Sequence, residues 1–137
     1  MDEATARSKF LTARSAKLAT VDGQGVPHLV PIVFAVEDDM IVFAVDHKPK
    51  RATDLRRLRN IAANDRVCVL ADHYTDDWRH LWWARADGSA AIVEDDTTRQ
   101  HWLDLLAERY GQYVERRPEG PVVAITVERW SGWACSE

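Results

Sequence analysis

The stretch KLATVDGQGVPHLVPIVFAVEDDMIVFAVD, residues 17–46, decides the fold. Its apolar segments are short, rich in Val and Ile, and divided by turn residues rather than by helical spacing. Gly23 and Gly25 bracket a tight hairpin turn. Pro27 and Pro31 lack the N–H that a ladder uses, so the second segment is irregular or lies at a sheet edge. A second turn over Glu37, Asp38 and Asp39 leads into MIVFAVD. Three strands in a meander are expected.

Working outward, residues 2–14 read as a short amphipathic helix with Asp2 as its N-cap and Ala6, Phe10 and Ala13 on one face. After Asp46 the chain turns helical through HKPKRATDLRRLRNIAAN. Pro49 stands just before that helix, Leu55, Leu58 and Ala62 form its apolar stripe, and Asn64 and Asp65 end it. RVCVLADHY is a fourth strand and YTDDWRH a polar loop. LWWARADGSAAIVE supplies one or two further strands, with a turn at Asp87-Gly88. DDTTRQHWLDLLAERYG is the clearest helix: Thr97 and Gln100 make a capping box, Trp102, Leu105, Leu106 and Tyr110 share a face, and Gly111 is the C′ stop. QYVERRPEGP reads as a loop, and VVAITVERWSGWA as a last strand kinked near Gly132.

Strands that follow one another through hairpins make an antiparallel sheet, with helices packed outside. Six or seven short strands avoid open edges by curling into a barrel. The fold class is therefore mainly β with flanking helices (α+β), a six- to seven-stranded antiparallel barrel, in one domain over residues 1–137.

Composition agrees with a globular chain: 46% hydrophobic and 29% charged among 137 residues. A net charge of −4 gives no general attraction to nucleic acid or to an acidic membrane. The start, MDEATARSKF, has no apolar segment of a secretory signal, and no run approaches a membrane span. A cytoplasmic location is expected. Cys68 sits in the apolar run VCVLA as a buried small hydrophobe, and Cys135 near the end is exposed; a reducing compartment leaves them unpaired. Six tryptophans exceed what one small core buries and favour an interface or a flat-ligand site.

The strongest chemical feature is His47-Lys48-Pro49-Lys50-Arg51, where a strand gives way to a helix. Free backbone N–H groups, the positive end of the helix dipole and three side-chain cations together suit a phosphate; a solvated basic turn is the other reading. Arg56, Arg57 and Arg59 continue the basic character along the helix surface. Trp82 and Trp83 point to opposite faces of their strand, one to the core and one to a partner chain or a ring. His73 and His80 with Asp72, Asp76 and Asp77 match no metal-ligand spacing. No nucleophile motif, P-loop or dinucleotide fingerprint is present.

These residues carry a resemblance. ATVDGQGVPHLVPIVFAVEDDMIVFAVDHKPKRATDLRRLRNIAANDRVCVLADHY resembles the core of the pyridoxamine 5′-phosphate oxidase-like, flavin-reductase-like split-barrel proteins, whose fold is the FMN-binding split barrel. The later DHY-x-DDW…LWW-x-RADG is similar to the subgroup that uses the deazaflavin cofactor F-420. The resemblance runs from about Phe10 to Trp133. It implies a homodimer with two equivalent cofactor clefts at its interface, a small-molecule substrate, and no nucleic-acid or membrane partner. It places the cofactor phosphate near Lys48, Lys50 and Arg51, and the ring against the backbone of Pro31, Ile32 and Val33 and of Val45, Asp46 and His47. Trp78, Trp82 and Arg85 would close the site. The implied activity is an F-420-dependent oxidoreductase acting on an unsaturated organic substrate. The alternatives are an FMN-binding oxidase or reductase, or a cofactor- or tetrapyrrole-binding protein without turnover. The family's flavin oxidases carry more phosphate-binding basic residues and a C-terminal substrate segment that this sequence does not show before Glu137, which points away from pyridoxamine phosphate oxidation.

Overall fold

A computed structural model describes residues 1–45 and 55–136. Helix α1 spans Glu3–Thr12, and the Asp2 carboxylate caps it by accepting the Thr5 N–H at 2.8 Å. The helix buries Ala6 and Phe10 completely. The Phe10 ring meets Phe34 and Trp130 edge-on, at centroid distances of 5.8 and 5.3 Å. Strands β1 (Ala16–Val21) and β2 (Pro27–Ile32) form the first hairpin. In its turn the Asp22 carboxylate accepts the N–H groups of Gln24 and Val26 at 2.8 and 2.9 Å, and Gly25 takes a φ of 82°, which glycine adopts without steric cost. The Val26 and Gln24 bonds hold the Asp22 carboxyl below the usual carboxylate range.

The expected three-stranded meander does not form. The chain breaks at Val33-Phe34; β3 (Ala35–Glu37) and β4 (Met40–Ala44) then pair with each other, not with β2. Three longer strands follow: β5 (Arg66–His73), β6 (Trp82–Ile92) and β7 (Val122–Ala134). The sheet order is β2-β1-β5-β6-β7-β4-β3, antiparallel throughout. β2 and β3 are therefore successive in sequence and at opposite edges of the sheet. Laid flat, seven strands would hold those edges about 29 Å apart. The three Cα steps from Ile32 to Ala35 reach at most about 11 Å. The sheet must curl, and it does so as a half-barrel with flanking helices. Both prolines of β2 lie on an edge strand, as their missing N–H groups require.

β6 is one continuous strand. Asp87-Gly88 is a bulge site instead of a turn: Asp87 pairs with Arg129 and Gly88 with Val127, leaving Glu128 as the extra residue. A Cβ at Gly88 would stand 2.1 Å from the Thr126 carbonyl oxygen, so only glycine lets β7 approach this closely. The irregularity of β7 thus falls at Glu128 and not near Gly132.

Helix α2 (Arg56–Ala63) buries Leu58 and Ile61, with Leu55 packed beside them. Ala62 is exposed, because the contact stripe advances in steps of three to Ile61. Asn60 is also buried and donates to Thr20 Oγ1 at 3.0 Å. Helix α3 (Asp96–Arg109) is capped by Asp95, whose carboxylate takes both the N–H and the hydroxyl of Thr98 at 2.8 Å. This pair of hydrogen bonds takes the place of the expected Thr97–Gln100 box. α3 buries Trp102, Leu103 and Leu106, while Leu105 is only partly covered. Gly111 does not end the helical path; it opens the short α4 (Gly111–Glu115) inside the expected loop.

Two apolar clusters result. One fills the barrel with Leu18, Ile32, Phe34, Ile41, Phe43, Val45 and Val69, against α1 and α2. The other lies between α3, α4 and the β3-β4-β7 side, around Val42, Val122, Leu103 and Leu106. Among the described residues no helix is long and apolar enough to cross a membrane.

Candidate binding site at the barrel mouth

The expected ring-binding edge divides by pleat. Ile32 and Val45 are buried members of the barrel core, so only their backbone can face a ligand. Pro31 and Val33 are exposed beside them. Asp46, His47, Lys48, Lys50 and Arg51, with Pro49, lie outside the described residues. Arg57, on the helix that follows, is half-buried; burial pulls its guanidinium below the ordinary value, and its Nε has no hydrogen-bond partner. Arg56 and Arg59 are exposed.

β6 alternates as a strand should. Ala84, Ala86 and Ala90 point into the barrel and Trp82 packs against the same core. Trp83, Arg85 and Asp87 point outward. Trp82 and Arg85 therefore sit on opposite faces and do not form one wall within a protomer. Arg85 Nε bonds Asp87 Oδ2 at 3.1 Å, and its guanidinium lies 5.8 Å from the Trp83 ring centroid. Arg85 does share a ladder row with another expected residue. The pairings Pro31–Lys17, Lys17–Leu70, Leu70–Arg85 and Arg85–Ser131 run straight across the outer face.

That outer face also carries several apolar side chains. Leu29 is 65% exposed and Trp133 42%. Trp133 pairs with Trp83, and Leu70 and Cys68 lie between. None of the five belongs to either core cluster. Cys68 is thus half-covered on the outer face instead of buried in the core, and burial pushes its thiol up. Ser131 Oγ is buried on this face without a partner.

At one end of the barrel the β5–β6 connection carries Trp78 on a single 3₁₀ turn, Trp78–His80. Trp78 is 72% exposed. Asp77 caps the turn and grips Arg79 with both oxygens, at 2.9 and 2.8 Å; the Arg79 bonds hold its carboxyl below the usual range. Behind this turn lies a groove made of two adjoining cavities. One, of about 360 Å³, is lined by Lys9, His73, Arg79, His80, Leu81 and Trp82 among others. The second, of about 390 Å³, shares His73 and Trp82 and adds Arg14, Lys17 and Asp72. Lys9 Nζ stands 5.2 Å from the Trp82 ring centroid, a cation–π distance. Lys17 reaches Asp72 at 3.5 Å.

Sequence patterns identified Trp82 but missed Lys9, Arg14, Lys17 and His73. Lys9 and Arg14 read there as the polar side of a helix and its exit, and only the packing of α1 across β6 and β7 turns Lys9 toward the tryptophan. Among the described residues no three of His, Cys, Asp and Glu gather as a metal-binding group.

Comparison with protein families matches residues 3–134 to the pyridoxamine 5′-phosphate oxidase model. Comparison with curated protein sequences gives no match. Among solved structures, a conserved hypothetical protein of Mycobacterium tuberculosis is similar with a TM-score of 0.75 and 24% identity, over 98% of this chain and 86% of that one. HutZ, the heme storage protein of Vibrio cholerae, gives 0.74 and 18% over 98% and 95%. A FAD-binding protein of Mesorhizobium loti gives 0.72 and 19% over 96% and 94%. At these identities the likeness is one of fold.

Proposed function

Because the chain belongs to the pyridoxamine 5′-phosphate oxidase family, we propose that it is a homodimeric, cytoplasmic oxidoreductase that uses the deazaflavin F-420 to reduce an unsaturated small organic substrate. The observation that carries the reading is the position of residues 72–88. This segment resembles the F-420 subgroup, and it forms a wall of the groove at the barrel mouth, with His73 and Trp82 lining the cavity.

The residues present fit a ring-bearing anionic cofactor. Pro31 and Val33 are exposed at the end of edge strand β2, where a ring can approach, and the cavity lined by Lys9, Arg79 and Trp82 is left for the substrate. When bound, the reduced deazaflavin supplies the hydride. The chain's own part is binding, orientation and exclusion of water. Lys48, Lys50 and Arg51 would hold the cofactor phosphate by charge. The backbone of Pro31, Ile32 and Val33, with that of Val45, Asp46 and His47, would hold the ring. Trp78, Trp82 and Arg85 close the cleft, with Arg85 contributed across the interface, since its face is opposite to that of Trp82. No side chain needs to act as a nucleophile.

The outer face carrying Leu29, Leu70, Trp83 and Trp133 supports the dimer. An exposed apolar surface with tryptophans is the composition of an interface core.

A flavin reading is favoured by the likeness to the FAD-binding protein of Mesorhizobium loti, and binding of a tetrapyrrole without turnover by the likeness to HutZ. Titration of the purified protein with F-420 and, in parallel, with FMN separates the deazaflavin reading from the flavin one. Micromolar binding of F-420 with weak FMN binding supports the deazaflavin reading, and preference for FMN overturns it. Lys50→Ala is expected to weaken F-420 binding by about 1.5–3 kcal/mol, the worth of a charged hydrogen bond; unchanged affinity would remove Lys50 from the phosphate site.

A further inference from the structure

We propose that the groove at the barrel mouth binds a carboxylate attached to a flat conjugated body, with Lys9 as the residue that selects the charge. This names the substrate class of the oxidoreductase reading, on which it rests for turnover but not for binding.

Four cations line the two adjoining cavities: Lys9, Arg14, Lys17 and Arg79. Among the described residues the only carboxylate lining them is that of Asp72, and Lys17 already faces it at 3.5 Å. Arg79 is satisfied by its two bonds to Asp77. Arg14 donates to the Arg109 carbonyl at 3.0 Å and stacks over Tyr110 at 5.0 Å. Among the described residues the Lys9 ammonium has no carboxylate partner. It is held over the Trp82 ring instead.

A half-covered ammonium above an indole leaves donor N–H directions open toward the cavity, and a lysine has three. The indole beside it offers an apolar face on which a conjugated ring can stack. His73 and His80 complete the polar lining. A ligand that satisfies all of these carries an anionic oxygen pair at one end and a planar body at the other. A cavity of about 360 Å³ takes a ligand of one or two fused rings. A neutral ring would leave the ammonium uncompensated, and a small anion such as acetate would leave the indole uncovered.

The test is calorimetric titration of the full chain, without flavin or deazaflavin, using 2-naphthoate as the probe and its uncharged isostere 2-naphthamide as the control. Saturable naphthoate binding is expected, with naphthamide at least fivefold weaker. Lys9→Gln should weaken naphthoate at least fivefold and leave naphthamide unchanged, and Lys9→Arg should restore naphthoate. Equal affinity for the two probes, equal affinity of Lys9→Gln and the wild type, or no saturable binding at millimolar probe overturns the proposal. Because no cofactor is present, failure here leaves F-420 binding untouched. Failure of F-420 to bind likewise leaves the naphthoate result standing.

Discussion

The hydroxyl of Tyr110 clasps the backbone of Phe34: it receives the Phe34 N–H at 3.0 Å and lies 2.8 Å from the Phe34 carbonyl oxygen. Phe34 is the link between the two edges of the curled sheet. The same hydroxyl reaches the Arg14 carbonyl at 3.0 Å, where α1 gives way to β1. Arg109 adds bonds to the carbonyls of Phe34 and Ala13 and lies 4.7 Å over the Phe34 ring. Burial lowers its guanidinium from the ordinary value. The end of α3 thus ties the barrel closure to the rim of the groove.

Tyr110→Phe keeps the ring and removes the hydroxyl, leaving the buried Phe34 N–H without its acceptor. The expected loss is about 1–3 kcal/mol of unfolding free energy, read from urea melts. A change within error would show that the closure does not depend on this bond.

Gly88→Ala drives a methyl into the Thr126 carbonyl oxygen. Backbone cannot yield there without breaking the β6–β7 ladder. A destabilisation of about 3 kcal/mol, the upper range of overpacking, is expected. Ser89→Ala, one residue along the same strand, serves as the control, and an equally small effect at both positions would show that the strands are more loosely paired than described.

His101 Nε2 lies 2.8 Å from Glu37 Oε1, and this bond raises the imidazole above its ordinary value of 6.5. A raised folded value means that the proton is held more tightly in the folded state. The stabilisation is therefore complete below the ordinary imidazole value and is lost as pH rises through the folded one. An NMR titration should find His101 titrating above 6.5, and Glu37→Gln should bring it back down. Identical titration curves in the two proteins would show that the pair is not formed in solution.

Leu29→Glu places a charge on the exposed outer face without touching either core cluster. It should convert the proposed dimer to monomer at micromolar concentration, as judged by sedimentation, with the melting curve little changed. A wild-type monomer would overturn the dimer, and a dimer that survives the substitution would move the interface elsewhere.

Much of the local structure was legible in the residues. Asp2 caps α1, Gly25 turns the first hairpin, the two prolines mark an edge strand, and RVCVLADHY is a strand but for its last residue, Tyr74. The basic turn at 47–51 stands out by composition, although it lies outside the described residues. The misreadings have a common cause. Asp87-Gly88 has the chemistry of a turn, and it becomes a bulge because Glu128 on another strand offers the extra residue. Ala62 has the right spacing for a stripe, yet the barrel takes Ile61. The groove was invisible because Lys9 and Trp82 meet only through the docking of α1.

Caps, turns and strand propensity act through atoms a few residues apart, so the amino-acid order alone goes far toward them: six or seven strands and three principal helices follow from local chemistry, although α2 begins at Arg56 and not directly after Pro49, because Leu55 is still extended. Which strands become neighbours is a competition between distant segments for the same ladder and the same core. Only the folded chain resolves it, placing β2 and β3 at opposite edges, sending Trp82 inward and Arg85 outward, and setting a lysine over an indole at the mouth of the barrel.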